Sequence, residues 1–123
     1  MRRTPFHEFH RDAGAKLIDF GGWEMPVQYQ GILAEHAACR NAVGCFDVSH
    51  MGEVRFRGPH ALAAVNHLVT NDISKAALSQ AMYTAMCNES GGIVDDLIVY
   101  RVAEEDILIC VNAANREKDY AWM

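Results

Sequence analysis

Two adjacent acids, Asp95 and Asp96, lie in an otherwise apolar run from Gly91 to Tyr100, and they are the residues of this chain best suited to chemistry. A carboxylate among apolar neighbours loses hydration and needs donors or counter-charges to stay ionised. Where it faces a pocket, its pKa can rise and it can accept or hold a proton during a reaction. The run is entered through Gly91-Gly92 and predicts a strand buried on both faces. Alternation sends Val94, Asp96, Ile98 and Tyr100 to one face and Ile93, Asp95, Leu97 and Val99 to the other, so the two acids form no carboxylate pair. Asp96 is the stronger candidate. The competing reading is a carboxylate satisfied by backbone amides at a bulge, or wetted near the start of the strand.

Strand pairing decides what can reach Asp96. A turn at Glu89-Ser90-Gly91 brings Tyr83 or Thr84 beside it, and a second turn at Ala103 to Asp106 brings Asn112 beside Asp96 or Leu97. A phenol, an amide and a carboxylate are thereby gathered on the middle strand. Tyr83 and Tyr100 could offer ring faces to a flat heterocycle, or serve as core. Asn112 could bond a ligand, although its place just before Ala113 favours an N-cap of the last helix. Asp95 is left without partners on its own face. His50 and Met51, where a tight turn enters a strand, read as a satisfied structural group and a gap-filling side chain. The six histidines share no ligand spacing with cysteines or acids, and His7 and His10 make only an i, i+3 pair, so no metal is expected. Gly-x-Gly-x-x-Gly and Gly-x-x-x-x-Gly-Lys are absent, which removes nucleotide-phosphate loops, and no hydrolase set can be argued.

The elements that must hold these groups follow from turn residues and periodicity. Thr4 and Pro5 predict the start of a short helix that stops at Gly14, with Phe6 and Phe9 inward. Two extended segments, 16–20 and 23–29, hinge at Gly21-Gly22, and Trp23 gives the hairpin its largest apolar group. A helix runs from Ile32 to about Ala42, with Leu33 and Ala37 on one face. Val54 and Phe56 alternate with Glu53, Arg55 and Arg57 in a half-exposed strand. Gly58-Pro59 then opens a helix with Leu62, Val65, Leu68 and Val69 inward. A three-stranded meander follows over about 81–88, 93–102 and 107–111, and a last helix begins at Ala113. Short strands and helices without strict βαβ alternation indicate an α+β fold with mixed or antiparallel strands.

Length and composition set the frame. At 123 residues, half of them apolar and 22% charged, the chain predicts one compact globular domain. A net charge of −5 argues against nucleic acid as the main partner. No apolar run is long enough to cross a bilayer and the N-terminus lacks a signal-peptide core, so a cytoplasmic protein is expected. Cys39, Cys45, Cys87 and Cys110 show no paired spacing and read as four thiols. The last helix reaches Tyr120-Ala121-Trp122-Met123 without a capping glycine, which reads as a chain cut inside an element.

The runs 19–29 (Asp-Phe-Gly-Gly-Trp-Glu-Met-Pro-Val-Gln-Tyr), 46–53 (Phe-Asp-Val-Ser-His-Met-Gly-Glu), Thr70-Asn71-Asp72, Gly91 to Tyr100 and Val111 to Asp119 resemble the N-terminal part of the glycine cleavage system T protein family of aminomethyltransferases. The resemblance covers nearly the whole chain, in order. It implies part of the folate-binding domain of a three-domain, cloverleaf-like protein. It also implies transfer of a one-carbon unit from the aminomethylated lipoyl arm of the H protein to tetrahydrofolate as co-substrate, releasing ammonia and giving 5,10-methylenetetrahydrofolate. On this resemblance Asp96 falls on the key aspartate near the reacting pterin nitrogens, and Met51, Tyr83, Tyr100, Cys110 and Asn112 fall on positions lining the pterin pocket. Because such proteins are about three times as long, the chain alone is expected to be inactive, and its uncovered apolar surface predicts self-association. A folate-binding relative that supports iron-sulfur enzymes, the folate-binding part of sarcosine and dimethylglycine dehydrogenases, and a non-catalytic binding domain are the alternatives.

Overall fold

A computed structural model describes residues 1–123 and is α+β, with antiparallel sheets and short helices. Its contacts divide the chain into two units, Met1–His50 and Met51–Met123.

The first unit holds α1 (His7–Asp12), β1 (Lys16–Phe20), β2 (Trp23–Gln28) and α2 (Ile32–Asn41). The Thr4 carbonyl accepts the His7 N–H at 3.1 Å, and Gly14, at φ +76°, lets the chain leave α1. The expected inward pair is reversed. Phe6 and Phe9 are exposed, whereas His7 and His10 are buried. The reason is polar pairing. His7 Nε2 lies 2.8 Å from Glu24 Oε2, and His10 lies 2.6 Å from Tyr29 Oη through Nδ1 and 2.8 Å from Asp47 Oδ2 through Nε2. With their ring nitrogens satisfied, the imidazoles can be buried at little cost. The hairpin β1-β2 turns at Gly21-Gly22 as expected, with Trp23 and Met25 buried. The start of α2 is held by Glu35, whose Oε1 accepts the N–H groups of Tyr29, Gln30 and Gly31 at 2.7, 2.7 and 3.0 Å. Those bonds, the first of them from Gly31, hold the Glu35 carboxyl below its usual range against desolvation. No residue of α2 is buried, and Leu33 is 86% exposed.

The second unit is a four-stranded antiparallel sheet in the order β3-β6-β5-β4, formed by β3 (Gly52–Arg57), β4 (Gln80–Cys87), β5 (Ile93–Ala103) and β6 (Asp106–Val111). Strands β4 to β6 are the expected meander, and β3 joins its free edge beside β6. The connection from β3 to β4 runs through α3 (Ala61–Leu68), which lays Ala61, Val65 and the following Val69 on one sheet face. There they meet Met86, Leu97, Val99, Ile107, Ile109 and Val111, with Leu62 and Leu68 packed at the margin. The last helix, α4 (Arg116–Trp122), follows a single 3-10 turn at Ala113–Asn115.

The sheet therefore has one covered and one open face, and β5 is not buried on both sides. Asp95, Leu97 and Val99 face the core; Asp96 and Tyr100 are exposed. The apolar cover of this unit comes from α3 together with Ile73 and Met123, and it lies on one side. All four cysteines are free thiols, and no helix is long and apolar enough to cross a membrane.

Candidate functional site

Pairing puts one row of side chains on the open face. Ala85 lies opposite Asp96 and Tyr83 opposite Ile98, while Cys110 pairs with Ile98 on one side and Glu53 on the other, and Tyr100 lies opposite Leu108. Residues opposite each other in an antiparallel sheet share a face, so Tyr83, Asp96, Tyr100 and Cys110 point the same way.

Tyr83 is displaced by two residues from the position directly opposite Asp96, which Ala85 holds, and reaches the acid along the diagonal. Its hydroxyl donates to Asp96 Oδ2 at 2.6 Å. Asn112, one residue past β6, donates from Nδ2 to Asp96 Oδ1 at 3.1 Å and to the Asp96 carbonyl at 2.9 Å. Both oxygens of Asp96 thus accept a bond. The carboxylate is exposed rather than buried, because its side of the sheet carries no helix. The Tyr83 phenol is held above its usual range, first by the bond to Asp96 and then by desolvation and by the charges of Asp96 and Asp95. Burial pushes the half-buried Cys110 thiol up, with Glu53 adding to the shift. Met51 is half-buried and immediately precedes β3.

Asn112 precedes the last helical segment as expected, but its side chain makes no cap bond. Its amide instead lies between the two acids, 3.2 Å from each oxygen of Asp95. A cap bond would need its Oδ1 to accept a backbone N–H, but the charge-assisted bonds that Nδ2 donates to the acids set the orientation of the side chain instead.

Asp95 also departs from expectation, since its buried face does hold partners. Asn115 Nδ2 donates to Asp95 Oδ1 at 2.9 Å, and Asp119 on α4 packs beside it. Desolvation raises the Asp95 pKa, but the bonds from Asp119, Asn112 and Asn115 outweigh it and leave the group below its usual range. Lys118 Nζ donates to the Val94 carbonyl at 2.6 Å, fastening the same helix to β5. Asn115, Lys118 and Asp119 were missed as site residues. For Asn115 and Asp119 the signal was present in the spacing 112, 115 and 119, three then four residues, which stacks side chains on one side of a helical segment.

Among the His, Cys, Asp and Glu side chains, no group of three or more is arranged to hold a metal ion. Chemically, the open face offers a doubly bonded, accessible carboxylate, two tyrosine rings and a half-buried thiol. It can bind a flat polar molecule edge-on to the acid and take up positive charge or a proton there.

Comparison with known proteins places these features in a family. The family model described as the GCVT N-terminal domain matches residues 6–123. An aminomethyltransferase of Desulfitobacterium hafniense (strain Y51) is 58% identical over 123 residues, covering all of this chain and 34% of that protein. One from Rubrobacter xylanophilus is 61% identical over 121 residues, 98% of this chain and 32% of that protein. The crystal structure of glycine cleavage system aminomethyltransferase T from Bartonella henselae superposes with a TM-score of 0.92 at 38% identity, covering 98% of this chain and 34% of that one. The chain spans about a third of the length of the curated relatives it matches.

Proposed function

The chain belongs to the GCVT N-terminal domain family, and from that premise we propose that it forms the pterin-facing wall of a tetrahydrofolate-dependent aminomethyltransferase of the glycine cleavage system, acting in the cytoplasm. The donor is the aminomethyl group on the lipoyl arm of the H protein, and the products are ammonia and 5,10-methylenetetrahydrofolate. Alone, a chain of this length does not turn over; it contributes the acid and the pterin contacts to a longer protein.

The observation that carries the reading is the accessible Asp96 carboxylate, bonded by Tyr83 and Asn112 on a face shared with Tyr100 and Cys110. Tetrahydrofolate supplies the nucleophilic nitrogen. Asp96 stabilises the positive charge that develops there and accepts the proton, while the Tyr83 hydroxyl and the Asn112 amide fix the carboxylate in advance. The rings of Tyr83 and Tyr100, with Met51 and the Cys110 thiol, bound the flat pterin.

The test is a chimera in which this chain replaces the matching third of the Desulfitobacterium hafniense relative. It should release ammonia from aminomethylated H protein only with tetrahydrofolate present. Asp96→Asn should fold and lose activity by roughly 100-fold or more, the scale of a general acid-base contribution. Turnover close to that of the parent chimera would overturn the assignment.

A further inference from the structure

Behind the open face lies a second acid that the reading above leaves idle. Asp119 is 0% exposed, and neither of its carboxylate oxygens meets an N–H or O–H donor. Its neighbour Asp95 is 7% exposed. Two ionised carboxylates side by side in a core, one of them without any donor, cost far more than a single retained proton. One O–H on Asp119, directed at Asp95, removes the like-charge contact and gives the orphaned acid a hydrogen bond.

We propose that Asp119 is a positioning residue: it keeps a proton, donates it in a hydrogen bond to Asp95, and through Asn112 fixes the carboxylate of Asp96. The chain of contacts is continuous. Asp95 accepts from Asn115 at 2.9 Å and from Asn112 at 3.2 Å, and the same Asn112 nitrogen lies 3.1 Å from Asp96 Oδ1. The two hydrogens of that nitrogen are shared among Asp95, Asp96 Oδ1 and the Asp96 carbonyl, so moving Asp95 turns the amide and loosens Asp96. The charged groups around Asp119 act unequally. Burial comes first in pushing its pKa up to about 7, Asp95 and then Asp96 push the same way, and Lys118 on α4 opposes them. Loss of this proton as pH rises would leave two like charges in contact, and their repulsion would act on Asn112 through Asp95.

The consequence for catalysis rests on the reading of Asp96 as the functional carboxylate; the proton itself does not. The test uses the full 123-residue chain with carbon-13 labels in Asp and Tyr, followed by NMR from about pH 4 to about pH 9, a range spanning the ordinary carboxylate pKa and the raised one. Asp119 should titrate with a midpoint near 7, and the Asp96 carboxyl and Tyr83 ring signals should shift with the same midpoint. Asp119→Asn keeps an N–H donor at every pH, so it should abolish that shift and hold both signals at their low-pH positions. An Asp119 midpoint in the ordinary carboxylate range, or Asp96 and Tyr83 signals that do not follow Asp119, overturns the proposal. The wild-type titration decides this even where the variant fails to fold. An Asp96→Asn chimera of normal activity with the Asp119 midpoint intact would sink the folate reading and leave the shared proton standing.

Discussion

The hydroxyl of Tyr83 donates to Asp96 Oδ2 at 2.6 Å across a diagonal of the β4-β5 pair, between two side chains that are both exposed. Tyr83 is 66% exposed, so the bond contributes little to stability and much to the direction of the carboxylate. Tyr83→Phe should therefore leave the unfolding midpoint within about 0.5 kcal/mol of the parent, as expected for a surface change. In the chimera it should lower transfer by roughly tenfold, the scale of one hydrogen bond to a charged group. The same contact raises the phenol pKa. An ultraviolet titration of tyrosine should show two phenols above the usual range, Tyr29 and Tyr83, of which only one moves back toward it in Asp96→Asn. An unchanged titration would separate the two residues.

Asn112 offers a sharper test, because one amide serves two acids. Asn112→Ala removes the donor from Asp95 and Asp96 and should cost roughly 1–3 kcal/mol, since it leaves a mostly buried carboxylate with one bond fewer. Asn112→Asp has nearly the same shape but brings a third carboxylate between the two, and it should cost more than the alanine variant. Urea unfolding of both variants near neutral pH reads the order directly. Equal losses would mean that the amide fills space and does not pair charge.

The sheet was legible in the sequence because alternation and glycine turns act locally, and the meander strands fall within about two residues of where those signals place them. Register was not. The pairing of β4 with β5 shifts between Met86 and Cys87, and that irregularity moves Ala85, rather than Tyr83 or Thr84, opposite Asp96. Which face of β5 is open was equally hidden, because both rows mix an acid with apolar residues and only the packing of α3 distinguishes them. The reversal of α1 has the same origin. His7 and His10 are buried by Glu24 and Asp47, 17 and 37 residues further along, and no local pattern announces such partners. Asp96 was singled out as a candidate by its chemistry, whereas Asp119 needed the fold to bring it against Asp95.

Gly52 opens β3 directly after Met51, and its lack of a side chain is a packing requirement. A Cβ there would lie 2.6 Å from Val111 Cγ2 and 2.8 Å from Arg116 Cγ. Val111 is buried in the core and cannot retreat freely, so Gly52→Ala should destabilise by about 1–3 kcal/mol, the usual cost of overpacking. Thermal unfolding of the variant checks this. Gly22→Ala is an instructive control, since its Cβ meets nothing within 4 Å and only the left-handed φ of +85° opposes it. Its loss should come from backbone strain alone, of order 1 kcal/mol.

The acid limb of stability should be governed in part by Asp47, in the first unit. Its carboxyl is almost wholly buried, and desolvation alone would raise its pKa. The bond to His10 at 2.8 Å and the Ser49 N–H at 2.9 Å act the other way, and the balance holds the group well below the usual carboxylate range. A carboxyl with a lowered folded-state pKa contributes stability that is fully present above its unfolded value, about 3.9, and is lost as pH falls through the folded value. Stability measured by urea unfolding should therefore fall as pH drops below about 4. The Asp47→Asn variant should be weaker at neutral pH and should show a shallower decline across the same acid range. If parent and variant lose stability in parallel on acidification, the pairing of Asp47 with His10 and Ser49 contributes nothing to the acid sensitivity of this unit, and another carboxylate must carry it.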